Sequence, residues 1–218
     1  MILQWYKSYE VNSTIWLISS FLLFISFVLF LIASKKEELE SRSRVYIGYG
    51  LFTLCFGLTR FLFIFADFTG DLHDNIMVLG YLMAILGILA VVFILETYLL
   101  KTKRILTIIT SILFILILVA VMGVASRDDA LMMIYILIPA AIIATVITFI
   151  YFIINSSGHS RKKAIGALIG ILLMFFGHLM DSNLFNAIFP GLPEIICPIV
   201  LIIGVIFFTT SQLYNRSK

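Results

Sequence analysis

The sequence predicts an all-α polytopic membrane protein, a transmembrane bundle of seven helices in a single domain. Of its 218 residues, 62% are apolar and only 12% are charged, and the mean hydropathy is +1.14. A soluble domain of this size could not bury so much apolar surface, whereas a bilayer removes the need to bury it. The spacing of polar connections and the uneven distribution of basic residues are the other two observations behind this prediction.

Each predicted helix is an apolar run bounded by short polar connections. A hydrocarbon core of about 30 Å needs roughly 20 apolar residues in a helix. Seven segments reach or approach that length: 13–33, 45–65, 76–100, 105–125, 131–155, 164–181 and 195–213. No connection is long enough to form a soluble domain, so residues 1–218 are expected to form one membrane domain. The first span is expected to be kept as a helix, because its positive charges follow it, unlike those of a signal peptide.

Basic residues predict the orientation of the bundle. The connections after the first, third and fifth spans, together with the C-terminus, hold 12 of the 15 lysines and arginines: Lys35, Lys36, Arg42, Arg44, Lys101, Lys103, Arg104, Arg161, Lys162, Lys163, Arg216 and Lys218. Lys7 and Arg127 fall on the opposite side, and Arg60 lies within the second span. Because basic residues concentrate in cytoplasmic loops, we predict a cell-membrane protein with its N-terminus outside and its C-terminus cytoplasmic.

A modest internal match suggests a 3+1+3 parallel repeat. At an offset of 120 residues, Gly50, Phe56 and Gly57 fall on Gly170, Phe176 and Gly177. At an offset of 116, residues 96–98 fall on residues 212–214. Two parallel three-helix halves joined by the fourth helix, the plan of SWEET-type sugar transporters, would produce this pattern. Glycine and phenylalanine are common in membrane helices, so chance matching stays open as the alternative.

Arg60 is the most informative residue of the second span, because a guanidinium in the hydrocarbon region costs about 2.5–3.5 kcal/mol on insertion scales. At helical spacing it shares one stripe with small and polar residues: Tyr46, Gly50, Thr53, Gly57, Ile64 and Asp67. Two glycines on a stripe let another helix approach closely. Arg60 is therefore predicted to face the bundle interior and not lipid.

Partners for Arg60 are predicted near the outer end of the bundle. His178 and Asp181, three residues apart on the sixth span, share a face, and Asp67 and Glu194 fall at a similar height. Asp181 is the first choice for a hydrogen bond to Arg60, with Asp67 and Glu194 behind it. Three interpretations stay open: a structural ion pair, a ligand or proton site open to the outside, and a side chain that snorkels to the headgroups.

A second polar group is expected at the inner end, consisting of Glu96, Tyr98, Gln212 and Tyr214. Lys101, Lys103 and Arg104 follow Glu96 within two turns. The Glu96 carboxylate is therefore expected to extend to the cytoplasmic surface, and a gating or proton-transfer role is the alternative. Pro139, inside the fifth span, is expected to kink its helix and favour a cavity.

Catalytic, metal and cofactor sites are not expected. The sequence shows no nucleophile with a base, no third ligand beside His178 and Asp181 for a metal, and no lysine in residues 195–213 for a retinal Schiff base. The expected partners are the lipid bilayer and a cytoplasmic signalling protein or another membrane protein. Nucleic acid is not expected to bind.

Two stretches, FGLTRFLFIFADF (56–68) and FILETYLLKTKR (93–104), resemble an uncharacterised family of archaeal seven-helix membrane proteins. They are also similar to the membrane sensor modules found ahead of histidine kinases. The resemblance implies an outward-facing sensing bundle. The functional hypothesis is a receptor or sensor that binds an external or membrane-dissolved ligand and acts through a cytoplasmic partner. A small-solute transporter and a structural subunit of a membrane complex are the alternatives.

Overall fold

Long apolar helices dominate the computed structural model, which describes residues 9–100, 103–119, 122, 127–181, 193 and 195–214. Within these residues there are seven α-helices and no strand. They are α1 (Tyr9–Lys36), α2 (Glu40–Ala66), α3 (His73–Ile94), α4 (Ile105–Val119), α5 (Arg127–Asn155), α6 (Gly158–Met180) and α7 (Ile196–Leu213). A 3-10 turn, Gly70–Leu72, precedes α3, and a π-helical turn, Leu95–Leu100, follows it. Helices suit this composition, because they satisfy every backbone N–H and C=O within one segment.

Six of these helices are long and apolar enough to cross a membrane, and α4 is shorter, with 15 residues. The all-helical multi-pass architecture predicted from the sequence is therefore confirmed for six spans. At 1.5 Å per residue, α4 covers roughly 22 Å of a hydrocarbon core of about 30 Å. Most of the predicted fourth span beyond Val119 lies outside the described residues.

Several helices extend into segments that the sequence analysis assigned to polar connections. Helix α2 begins at Glu40, five residues before the predicted start at 45, and α6 begins at Gly158 instead of 164. The predicted spans mark only the apolar part that can lie in the hydrocarbon core. Helical backbone hydrogen bonds can continue beyond that part through charged residues, so the helices are longer than the predicted spans. The connections are accordingly shorter than predicted.

The helices pack in chain order, and α7 closes the arrangement against α1, while α3 also contacts α5. Close approach depends on glycine: a Cβ built on Gly170 would lie 2.6 Å from the Phe208 backbone N, and one on Gly177 would lie 2.8 Å from the Cys197 carbonyl. Gly50 and Gly57 on α2 instead face α1, where a Cβ on Gly57 would lie 3.0 Å from the Phe24 ring. In a parallel repeat, α1 would correspond to α5 and α3 to α7. The matched glycines thus contact non-equivalent helices, and the repeat stays a prediction.

Aromatic side chains fill the centre of the bundle. We call Tyr49, Phe52, Phe56, Phe175 and Phe208 the aromatic column; each is at most 2% exposed. Ring centroids lie 5.5 Å apart for Phe52–Phe56, 5.8 Å for Phe56–Phe175 and 5.2 Å for Tyr49–Phe208. The column runs along α2 toward the end where α6 begins and α7 ends, which we call the Lys163 end. We call the opposite end, where α2 and α6 finish, the Asp181 end.

Candidate functional site

Arg60 lies inside the bundle at the Asp181 end, fewer than two turns before α2 finishes at Ala66. Its side chain is only 2% exposed, so it faces neither lipid nor bulk solvent. The inward orientation predicted from the stripe of α2 is therefore present. A guanidinium stays protonated in proteins, so this position carries a permanent positive charge that neighbouring groups must compensate.

The two partners of Arg60 come from the end of α6. Arg60 Nη1 donates a hydrogen bond to Asp181 Oδ2 at 3.1 Å, as the sequence analysis predicted for Asp181. Arg60 Nη2 contacts His178 Nδ1. Since a guanidinium only donates, His178 Nδ1 must accept, and a neutral His178 then carries its proton on Nε2. Arg60 thus links the neutral imidazole of His178 to the carboxylate of Asp181 in one hydrogen-bonded line.

Aromatic rings surround this line. The Arg60 Cζ atom lies 3.9 Å from the centroid of the Trp16 ring in α1 and 5.7 Å from that of Phe63. Phe63 stacks on the His178 imidazole, with centroids 5.6 Å apart and planes 18° apart. Cation–π contacts of this kind stabilise a desolvated guanidinium. The sequence analysis included neither Trp16 nor Phe63 among the partners of Arg60.

Of the two other carboxylates predicted for the cluster, Asp67 lies apart from Arg60 and Glu194 is not among the described residues. Asp67 follows α2, has a 42% exposed side chain, and its nearest ionic contact is His73 Nδ1 at 4.0 Å. Among the described residues, Arg60 Nε has no hydrogen-bond partner. The compensation of Arg60 in this part of the chain therefore rests on Asp181.

A cavity of about 90 Å³ lies beside the site, between α2, α3, α5 and α6. Its wall is mainly apolar and aromatic, with His178 and Asp181 as the charged or polar members: Phe63, Met77, Tyr81, Ile134, Ile138, Pro139, His178, Leu179 and Asp181. The share of one water in the liquid is about 30 Å³, so the space suits a few waters or one very small molecule. Pro139, the proline predicted to favour a cavity, borders it.

Glu96 occupies a different environment from the predicted one. Its side chain is 1% exposed and does not extend to the surface. The carboxylate accepts hydrogen bonds from the backbone N–H of Thr107 at 2.6 Å, that of Leu106 at 3.3 Å and the Thr107 hydroxyl at 2.6 Å. These donors belong to the first turn of α4, whose free N–H groups and helix dipole attract an anion. Glu96 therefore caps α4.

The other inner polar residues separate into a clamp and two peripheral side chains. Gln212 Nε2 donates to the Lys163 carbonyl at 2.7 Å, and Lys163 Nζ donates to the Gln212 carbonyl at 2.6 Å. This reciprocal pair ties the start of α6 to the end of α7. Tyr98 is half-buried against the core, whereas Tyr214 is 64% exposed beyond α7.

At the Asp181 end, the guanidinium, the imidazole and the carboxylate are therefore tied to one another beside a small, mainly apolar cavity. No family model, curated protein or solved structure matches this chain. Any assignment of function consequently rests on the geometry of the site.

Proposed function

We propose that this chain is a membrane sensor that binds a small, largely apolar molecule with one hydrogen-bond donor in the cavity beside Arg60. The ligand's donor would bind Asp181, and its apolar part would lie against Phe63, Tyr81 and Ile138. Binding would alter the packing of α6, and a cytoplasmic partner at the Lys163 end would respond to that change. The cavity with His178 and Asp181 in its wall is the observation that carries this proposal.

The state of Asp181 supports a polar contact with such a ligand. Its Oδ2 atom accepts from Arg60, yet the side chain keeps 34% of its exposure. A carboxylate offers about four acceptor positions. Asp181 can therefore bind a donor group without releasing Arg60, and a ligand at this point would sense the charge pair directly.

The aromatic column supports a sensor over a transporter. A transporter must open its substrate site to both sides of the membrane. Here the ring of Phe56 packs 5.8 Å from His178, and the column continues from it toward the Lys163 end. Closely packed aromatic rings occupy this part of the bundle interior in the described structure. The 3+1+3 transporter plan therefore has less support than a site with access from one side.

The predicted orientation places the cavity near the outer surface and the basic residues at the cytoplasmic surface. Exposed basic side chains at the Lys163 end offer a docking surface to a partner: Lys35, Lys36, Arg42, Arg44, Arg161 and Lys162. The ligand would then act across the membrane through α6, which carries His178 at one end and Lys162 at the other.

A single-tryptophan variant tests ligand binding. Trp5→Phe leaves Trp16, which stacks on Arg60, as the only indole. We expect n-butylamine or n-butanol, added to this protein in lipid nanodiscs, to change Trp16 emission in a saturable way, and sodium butyrate, which lacks a donor when ionised, to have no effect. Ile138→Phe, which fills the cavity, should abolish the response. Ile136→Phe is the matched control, since Ile136 is 64% exposed on the same helix.

Two outcomes would contradict the proposed function. A response that is linear in probe concentration, or equal in the Ile138→Phe variant, would mean that the probes act through the bilayer. Saturable uptake of butylamine by proteoliposomes that contain the protein, lost in the Ile138→Phe variant, would favour the transporter. For a sensor, we expect the probe to change amide hydrogen exchange at residues 156–163 while flux stays at the level of protein-free liposomes.

A further inference from the structure

A groove far from Arg60 lies between α6 and α7 at the Lys163 end. Its volume is about 540 Å³. It is lined by basic, hydroxyl and apolar residues: His159, Lys162, Lys163, Ile165, Gly166, Ile169, Phe207, Thr210, Ser211 and Tyr214. We propose that this groove is a binding site for an anionic glycerophospholipid.

Charge at the groove favours a phosphate group. Lys162 and His159 are exposed, Lys163 is half-buried, and none of the lining residues is acidic. Glu37, which interacts electrostatically with Lys163, also pairs with Arg42 at 3.5 Å, and Glu40 pairs with Arg44 at the same distance. Basic side chains at the cytoplasmic face of a bilayer attract anionic headgroups. An anion in the groove would therefore meet mainly positive charge.

The apolar half of the groove favours an acyl chain over a free anion. Ile165, Ile169 and Phe207 are 39%, 41% and 41% exposed. They lie on the exposed surface of α6 and α7, and Ile165 and Ile169 follow Lys162 within two turns. Gly166 contributes no side chain to the floor, and a Cβ there would lie 2.5 Å from that of Ser211. A molecule with a phosphate at one end and a hydrocarbon chain along these residues matches both halves.

The Gln212–Lys163 clamp keeps the two walls of the groove together. Lys163 Nζ is held by the Gln212 carbonyl and by the Tyr46 hydroxyl at 3.3 Å, so its charge stays at a constant position beside the groove. Lys162, on the exposed side, is left to contact the headgroup. We assign the direct phosphate contact to Lys162 and His159, and a fixed background charge to Lys163.

Native mass spectrometry on the detergent-solubilised full chain tests this site. We expect dioleoyl phosphatidylglycerol to bind at one saturable site and dioleoyl phosphatidylcholine to bind much more weakly. Since one surface lysine contributes about 1 kcal/mol toward an anionic membrane, Lys162→Gln should weaken phosphatidylglycerol binding about fivefold. Lys36→Gln, which removes an exposed lysine at the same end but outside the groove, should leave it within twofold.

A steric variant and a competition experiment complete the test. Ile169→Trp keeps every charge but narrows the apolar half, and it should reduce phosphatidylglycerol binding severalfold. Equal binding of the two lipids, or an equal loss in Lys36→Gln and Lys162→Gln, would overturn the proposal in favour of diffuse surface charge. Displacement of the lipid by millimolar inorganic phosphate, with Ile169→Trp unaffected, would overturn it in favour of a free phosphate site.

Discussion

At the scale of single residues, Arg60 and Asp181 form an unequal pair. Arg60 is 2% exposed, whereas the Asp181 side chain is 34% exposed. An aspartate left without its partner can take up a proton or be hydrated, but a guanidinium does neither at this depth. The energetic consequence of breaking the pair therefore depends on which partner is removed.

Asp181→Asn should destabilise the protein more than Arg60→Leu does. The asparagine variant leaves the buried charge of Arg60 uncompensated. Breaking a fully buried pair costs about 3–5 kcal/mol. Because Asp181 is partly exposed, we expect a smaller loss of unfolding free energy, about 2–4 kcal/mol. The leucine variant loses the Trp16 contact but leaves a carboxylate that can be neutralised. Thermal unfolding in one detergent, followed by circular dichroism, measures the difference.

Arg42→Leu is the control for that comparison, because it removes an arginine whose side chain is 62% exposed and whose ion pair with Glu37 lies at the surface. Its effect should be within about 0.5 kcal/mol. If Arg60→Leu proves much more damaging than Asp181→Asn, the Arg60–Asp181 pair is not what compensates the buried charge.

A contact of a single residue could be predicted from the sequence where only a few residues could meet a physical requirement. A buried guanidinium needs an anion, and the sequence analysis found three carboxylates at a similar height, Asp67, Asp181 and Glu194, so Asp181 could be predicted. Trp16 and Phe63 could not, because any of the 31 aromatic residues could supply a ring and helical spacing does not say which ring meets Arg60. Glu96 was assigned wrongly because its partners are backbone N–H groups, which the side-chain pattern does not reveal.

At the scale of helices, the cap that Glu96 provides explains how α4 begins. Helix α4 follows Arg104, whose φ of +60° is left-handed and whose guanidinium, a donor only, cannot accept hydrogen bonds from the free N–H groups of the first turn. The Glu96 carboxylate, in the π-helical turn after α3, supplies two backbone hydrogen bonds instead. Two helices are thus joined by one side chain.

Glu96→Gln should loosen the start of α4. A glutamine keeps one acceptor but loses the negative charge, so we expect a cost of about 1 kcal/mol, and Glu96→Ala should cost about 1–2 kcal/mol more. Hydrogen exchange at the amides of Leu106 and Thr107 should accelerate, while exchange in α7 stays unchanged. Thr107→Val, which removes only the hydroxyl contact, should have the smaller effect; the reverse order would reject the cap.

Glycine contacts give a second prediction for the helices. Gly170→Ala places a methyl group 2.6 Å from the Phe208 backbone N, where no side-chain rotation relieves it. Overpacking of this kind costs about 1–3 kcal/mol, which a lower thermal midpoint should report. Gly50→Ala is the matched control: its nearest contact is the Phe27 ring at 3.3 Å, and alanine has the better helix propensity. Equal destabilisation by both would show that backbone contact at Gly170 is not limiting.

At the scale of the whole molecule, composition and length were enough to predict the six long apolar helices of the described structure and their approximate bounds, because membrane insertion depends on summed apolarity. The summed apolarity of a segment does not show which helices pack against one another. The matched glycines at positions 50 and 170 are alike in sequence yet face different neighbours, so the parallel repeat stays a prediction. Arg60, by contrast, allowed one packing contact to be predicted, because a buried guanidinium needs a carboxylate nearby.

Orientation is the prediction that belongs to the molecule as a whole. Asp71→Cys should react with a membrane-impermeant maleimide added to intact cells, and Lys103→Cys should react only after permeabilisation, because the basic connections are expected to be cytoplasmic. The native Cys55 and Cys197 are buried, so background labelling should be low in the unsubstituted chain. If only the Lys103→Cys variant is labelled in intact cells, the protein has the opposite orientation in the membrane.

The aromatic column has an electrical consequence. Moving one elementary charge through the full membrane potential involves about 2.3 kcal/mol per 100 mV, and that potential falls mainly across material that excludes water. If the column is the dry layer, nearly all of the voltage drop lies between Phe56 and the Lys163 end. Arg60 and Asp181 then lie at almost the potential of the solution on their own side. A charged ligand would bind there with an affinity that is independent of membrane voltage.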